Sequence, residues 1–226
     1  MSKVLIKAEG LSKCYQTKSR ITTAVDDVTL SVDEGDFVVL SGESGSGKST
    51  LLRLLCLLEQ PSKGTLEISG HHVTGLSDSN RARIRHKHIG IVFQQYNLIP
   101  NINCLDNITL PLRLNTFPGL KKDIGLAVKL AEDLGVANRL KDLPSALSGG
   151  QQQRIAIARS LIMNPDLIFA DEPTGNLDSK SSASVVNILK KLNDEGKTIF
   201  LITHEEKLKN IGNKNIIISD GGLLNE

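Results

Sequence analysis

Gly42-Glu43-Ser44-Gly45-Ser46-Gly47-Lys48-Ser49-Thr50 decides the fold of this chain. The spacing Gly-x-x-x-x-Gly-Lys-Ser sets a lysine and two hydroxyls just after a turn that glycines permit, a combination suited to a nucleoside triphosphate. Upstream, Phe37 to Leu40 is an apolar run of strand length. Downstream, Lys48 to Glu59 is leucine-rich and free of Gly and Pro, which predicts a helix that begins inside the loop and ends before Pro61. Strand, loop and helix then aim backbone N–H groups and the positive end of a helix dipole at phosphate oxygens, with Lys48 reaching the β- and γ-phosphates. The plain alternative, a glycine-rich turn before an ordinary helix, is disfavoured by those flanking elements.

Working outward, Val28, Leu30 and Val32 alternate with polar residues as a strand does. Further apolar, β-branched runs at Ile89 to Phe93, Leu167 to Ala170, Thr198 to Thr203 and Ile216 to Ile218 alternate with helical patterns, predicting a mostly parallel sheet with flanking helices. Between about 95 and 165 the strand signal is lost, while Ile124, Ala127, Val128, Ala131 and Leu134 recur at helical spacing. The reading is one nucleotide-binding domain over 1–226 with a helical subdomain, about 95–165, inserted in its core. Aromatics make up only 3% of the 226 residues, so Leu, Ile and Val must build that core. A net charge of +2 falls short of the footprint of a dedicated nucleic-acid binder, and no nucleic-acid partner is expected. Cys14, Cys56 and Cys104 are scattered and odd in number, as in a reducing cytosol. The N-terminus is broken by charge before any signal-length apolar stretch, as expected of a mature cytosolic protein. The longest apolar-looking stretch, Leu51 to Leu58, is broken by Arg53 and falls far below the roughly 20 residues that cross a bilayer, so a membrane role requires a partner subunit.

Two more segments carry chemistry. Leu167-Ile168-Phe169-Ala170-Asp171-Glu172 is an apolar strand ending in two acids, whose side chains point to opposite sides and so can serve different tasks. Leu147-Ser148-Gly149-Gly150-Gln151 precedes a helical segment, Gln152 to Met163. Ser148 and the two glycines would form its N-terminal turn, a second anion site made of free N–H groups and a hydroxyl. In chain order, with Leu147–Gln151 between the other two, and in one domain, the three segments resemble an ATP-binding-cassette ATPase subunit of ABC transporters. The resemblance spans nearly the whole chain.

The resemblance implies a P-loop α/β core, an N-terminal antiparallel β subdomain, and ATP with Mg²⁺ as ligands. Ser41 to Thr50 would hold the nucleotide, including Glu43, Ser44 and Ser46; Ser49 would coordinate Mg²⁺ and Thr50 would contact the α-phosphate. Glu43 departs from the usual small residue or proline and is expected to face solvent. Asp171 would hold the Mg²⁺ shell through water, and Glu172 would act as general base. Gln94, after the strand Ile89 to Phe93, matches a glutamine that contacts Mg²⁺ and the lytic water, an assignment resting on family register because Gln95 is adjacent. His204 matches a histidine that contacts the γ-phosphate, and Tyr15 an aromatic that stacks on adenine.

Ser148, Gly149, Gly150, Gln151 and Asp178 would act in trans, closing a head-to-tail dimer over two nucleotides. Val92-Phe93-Gln94-Gln95-Tyr96-Asn97-Leu98-Ile99-Pro100 and Asp171-Glu172-Pro173-Thr174-Gly175-Asn176-Leu177-Asp178 resemble more closely the bacterial group of lipoprotein-releasing, macrolide-exporting, cell-division and peptide-antibiotic-resistance ATPases. Membrane permease subunits and a place on the cytoplasmic face of the membrane follow from that, with residues 96–100 in the contact. A soluble ABC ATPase of DNA repair or translation is the alternative class, although such proteins commonly carry a long coiled-coil insertion or a second cassette. Arg81, Arg83, Arg85, His86, Lys87 and His88 form a basic cluster that reads first as a solvated helical face. His71-His72 lacks partners at ligand spacing, and a metal site there is not expected.

Overall fold

The computed structural model describes residues 3–16, 21–113 and 124–224. In chain order it forms β1 (Val4–Gln16), β2 (Ile21–Asp33), β3 (Phe37–Ser41), α1 (Lys48–Leu55), β4 (Lys63–Ile68), β5 (His71–His72), α2 (Asp78–His88) and β6 (Ile89–Val92). There follow α3 (Cys104–Arg113), α4 (Ile124–Asp133), α5 (Gly149–Leu161), β7 (Leu167–Asp171), α6 (Ser179–Asp194), β8 (Thr198–Ile202), β9 (Lys214–Ser219) and β10 (Gly222–Leu224). Among the described residues the strands make two sheets. One is antiparallel, in the order β2-β1-β4-β5; the other runs β10-β9-β3-β8-β7-β6, parallel throughout except for β10.

Alternation along the central strands divides the core. Val38, Leu40, Leu167, Phe169, Phe200 and Ile202 face the α1 leucines and the antiparallel sheet. Phe37, Val39, Ile168, Ala170, Ile199 and Leu201 face α3 to α6. Strands buried on both faces need apolar residues at every position, which is why these segments read as unbroken apolar runs. The second cluster continues into Cys104, Ile108, Ala127 and Ala131, so the helical region between β6 and β7 shares its core with the sheet. Within that region, residues 114–123 lie outside the described residues.

Register brings the site together. Leu40 pairs with Ile202, Ile202 with Asp171, and Ala170 with Val92, so β3, β8, β7 and β6 end in one row. Open α/β sheets bind ligands at this carboxyl edge.

One expectation is met and one changes. The α1 helix begins inside the loop and ends before Pro61, at Leu55. Leu57 turns left-handed at φ 59°, its N–H bonding Leu54 O at 3.0 Å while Leu58 N–H bonds Arg53 O at 2.8 Å, the pattern of a Schellman cap. The Leu57 side chain is fully buried, and Arg85 donates to its carbonyl at 2.7 Å. Burying a leucine is worth about 1.5–3 kcal/mol, enough to hold a non-glycine residue in that conformation. The basic cluster, for its part, is not one solvated face. Arg83 and Lys87 are exposed, but Arg81 is buried and bonds Asp78, Arg85 is half-buried on Leu57, and His88 Nδ1 lies 2.9 Å from Asp166 Oδ2. Helix α2 packs along β6, and a helix face so placed cannot leave all its cations in water.

Candidate functional site

The phosphate loop joins β3 to α1 and walls a cavity of about 960 Å³. Gly47 has φ 108° and runs against β2: a Cβ there would lie 2.3 Å from Ala24 O. A Cβ on Gly42 would lie 2.3 Å from Ile218 O of β9. The loop therefore passes between neighbouring strands with no room for side chains. Lys48 Nζ, nearly buried, donates to Gly42 O at 2.8 Å and Glu43 O at 2.5 Å. Ser46 Oγ is buried without a hydrogen-bond partner and, unlike its loop neighbours, is not in the cavity wall. The Glu43 side chain is exposed.

Glu172 and His204 stand in the wall of the same cavity. His204 Nδ1 lies 2.9 Å from Glu172 Oε1. Glu172 has a left-handed φ of 43°, held by its N–H on Ile202 O at 3.0 Å and by Gly175 N–H on its own carbonyl at 3.1 Å. Non-glycine residues keep such backbone only where neighbours over-determine it, and such positions cluster at functional sites. Burial pushes the Asp171 carboxyl up, and Glu172 beside it adds to this, against the pull of Arg53 and Lys48.

Other sequence candidates sit farther out. Gln94 follows the end of β6 and packs on Gly175, where a Cβ would lie 2.6 Å from its Nε2; its carbonyl accepts from Asn176 Nδ2 at 3.2 Å. It is not in the cavity wall. Tyr15, on β1, donates to Glu59 Oε2 at 2.7 Å, while Lys13 Nζ lies over its ring at 5.3 Å. It too lies outside the wall. Conversely Ala24, Ile217, Ser219, Leu224, Glu206 and Lys209 line the cavity, brought there by β2, β9, β10 and the turn after His204. No local motif marks them.

Ser148 to Gln151 and Asp178 are likewise absent from that wall. Ser148 caps α5 in a reciprocal box with Gln151: Gln151 N–H donates to Ser148 Oγ at 3.4 Å, and Ser148 N–H to Gln151 Oε1 at 3.0 Å. Asp178 caps α6, accepting from Lys180 N–H at 3.0 Å, Ser181 N–H at 2.9 Å and Ser181 Oγ at 2.7 Å. The two N-termini abut: a Cβ on Gly150 would lie 2.6 Å from Ser181 Oγ, and one on Gly149 2.8 Å from the Tyr96 hydroxyl.

A separate groove of about 450 Å³ runs between α2 and α5, with Arg85, His86 and Arg159 beside Ile91, Phe93 and Met163. Arg159 donates to Tyr96 O at 2.8 Å and Asn97 O at 2.5 Å, holding both residues in left-handed conformations at φ 60° and 49°.

A glycine-rich loop at the carboxyl edge of a parallel sheet, with a lysine inside it and an acid–histidine pair across from it, defines a P-loop nucleotide-binding domain. The family model described as ABC transporter matches residues 25–175, and the chain belongs to that family. It is 41% identical over 221 residues to the lipoprotein-releasing system ATP-binding protein LolD of Wigglesworthia glossinidia brevipalpis, covering 97% of this chain and 96% of that protein. It is 45% identical over 217 residues to the macrolide export ATP-binding/permease protein MacB of Bdellovibrio bacteriovorus; this covers 96% of the chain but only 33% of that relative's length. The dimeric post-hydrolysis structure of the ATP-binding cassette MJ0796 bound to ADP and phosphate superposes with a TM-score of 0.85 at 38% identity, covering 98% of this chain and 97% of that one.

Proposed function

We propose that this chain is the Mg²⁺-dependent ATP-hydrolysing subunit of an ABC transporter, driving export, extraction or mechanical transmission through separate membrane subunits. The observation that carries this reading is the Glu172–His204 pair in the wall of the phosphate-loop cavity, 2.9 Å apart. The loop amides and Lys48 bind and orient the phosphates, Thr50 contacts the α-phosphate, and Tyr15 stacks on the adenine. Glu172 accepts a proton from the attacking water, and His204 holds both Glu172 and the γ-phosphate in line.

Mg²⁺ fits the donor types: Ser49 in the cavity wall, with Asp171 and Gln94 just outside it, are hard oxygen donors, and the cation would complete its shell with phosphate and water. Bound there, it neutralises charge developing on the phosphates.

Ser148, Gly149, Gly150, Gln151 and Asp178 lie outside their own chain's cavity, which favours their acting on a nucleotide held by a second copy. Closure over two nucleotides, then reopening once the γ-phosphate contact is lost, turns hydrolysis into motion. The groove along α2 and α5, with Arg85, His86 and Arg159 and the constrained segment at Tyr96 and Asn97, is where a cytoplasmic helix of a permease would receive that motion. No described helix is long and apolar enough to cross a membrane. In this reading the permease partner holds the chain at the cytoplasmic face.

Affinity purification of the tagged chain from detergent-solubilised native membranes, with mass spectrometry, tests this. A stoichiometric multi-span protein is the expected result. Retention of only soluble or ribosomal proteins in repeated preparations would favour the soluble ABC ATPase instead.

A further inference from the structure

Beyond the pair itself, the loops that carry Glu172 and His204 are tied to each other. Both leave the carboxyl edge of adjacent parallel strands, β7 and β8, and Glu172 sits on strained backbone at φ 43°. Two residues past Glu172, the buried Thr174 donates its hydroxyl to Oε1 of Glu205, the residue next to His204. Glu205 is itself held on two other sides: its N–H donates to Thr203 Oγ1 at 3.0 Å, and its second carboxylate oxygen pairs with Lys207 at 2.8 Å. Burial pushes the Glu205 carboxyl up, but the bonds from Lys207 and Thr174 outweigh it and keep the group ionised. The tie is therefore a charge-assisted hydrogen bond with a buried root, the kind that resists rearrangement.

We propose that Thr174 and Glu205 are positioning residues for hydrolysis: their hydrogen bond locks the two loops together and so sets the placement of His204 on Glu172. Neither touches the nucleotide cavity, and neither is in its wall. Among the described residues, the other hydrogen bonds joining the two loops are the Glu172–His204 pair and the bond from Glu172 N–H to Ile202 O, at 2.9 Å and 3.0 Å. A displacement of about 1 Å in a catalytic geometry costs up to about a hundredfold in rate, so a lock of this sort can matter as much as a side chain in contact with substrate.

The proposal rests on the reading of Glu172 and His204 given above, and the test keeps the two apart. In the full chain, Thr174→Val preserves shape and removes the donor, Glu205→Ala removes the acceptor, and Thr174→Ser keeps the hydroxyl. Turnover should fall roughly tenfold or more in the first two variants with ATP affinity unchanged, and recover in Thr174→Ser. The side-chain nitrogen resonances of His204, in long-range 1H–15N spectra, should move in Thr174→Val and Glu205→Ala and keep the wild-type position in Thr174→Ser. Thr174→Val combined with Glu205→Ala should lose no more than the worse single variant, because both cut one bond. Losses that multiply, or an unmoved His204 signal with wild-type turnover in either single variant, would overturn the latch. If Glu172→Gln also turns over at the wild-type rate, the catalytic reading falls with it.

Discussion

His204 Nδ1 and Glu172 Oε1 lie 2.9 Å apart although 32 residues separate them, because β7 and β8 are parallel neighbours in register. Proximity of a carboxylate and an imidazole at the edge of a phosphate cavity gives proton acceptance and alignment in one place. Glu172→Gln keeps the shape and removes the base, so ATP binding should persist while hydrolysis falls by about 10²–10⁴-fold. Closed dimers should then accumulate, which size-exclusion chromatography with MgATP reads directly. Unchanged phosphate release would remove Glu172 from the role of base.

Gly47 separates two kinds of loop change. Gly47→Ala forces a Cβ to 2.3 Å from Ala24 O at a φ of 108°, so the loop must move and ATP affinity should drop at least tenfold. Ser46→Ala removes a buried hydroxyl that has no protein partner, so thermal stability without nucleotide should be unchanged or higher. Equilibrium binding and melting curves on both variants check the contrast.

Ser148 caps α5, and the proposed contact with a partner's nucleotide can be tested separately from that cap. Ser148→Ala deletes the cap of α5 and should cost about 1 kcal/mol of stability. Ser148→Arg places bulk and charge where a partner's nucleotide would sit, so hydrolysis should be lost while a single copy still binds ATP. Loss of that binding would instead signal misfolding.

Asp36 anchors the strand that feeds the phosphate loop. Its carboxylate accepts from Lys214 Nζ at 2.8 Å, Asn213 Nδ2 at 2.9 Å and Asp33 N–H at 2.8 Å. Burial pushes its carboxyl up, yet those bonds outweigh it and the group ends below its ordinary value. A lowered carboxyl contributes stability above its unfolded value of about 3.9 and loses it as pH falls through the folded value. Asp36→Ala should thus cost about 1–3 kcal/mol at pH 7, a gap that closes in denaturation curves taken below about pH 4. The Asp36 bond raises the Lys214 ammonium, so its share of the stability is complete at neutral pH and fades only in strong alkali.

Much of this architecture is legible residue by residue. The runs at Phe37, Leu167 and Thr198 announce doubly buried parallel strands because both faces are apolar between their ends, where Ser41, Asp171 and Thr198 stand. The antiparallel sheet is less legible. Its long β1 strand breaks register at several places, so Leu11 to Tyr15 shows no clean alternation. The end of α1 was hidden for another reason: Leu57 is an ordinary helix former, and only the pocket that buries it and the Arg85 bond to its carbonyl reveal a cap.

The chain's own letters determine the chemistry on offer: a phosphate loop, two acids after a strand, a histidine after another, and a Ser-Gly-Gly turn before a helix. Local spacing suffices there, because backbone geometry over a few residues sets where their donors and acceptors point. Tertiary structure alone decides which of these meet. Strand order and register bring Glu172 onto His204 and Thr174 onto Glu205, keep Ser148 and Asp178 out of their own cavity, and turn half of an apparently solvated basic helix inward. Those outcomes depend on contacts between distant segments, whose free energy comes from burying a shared core and is encoded in no single stretch of sequence.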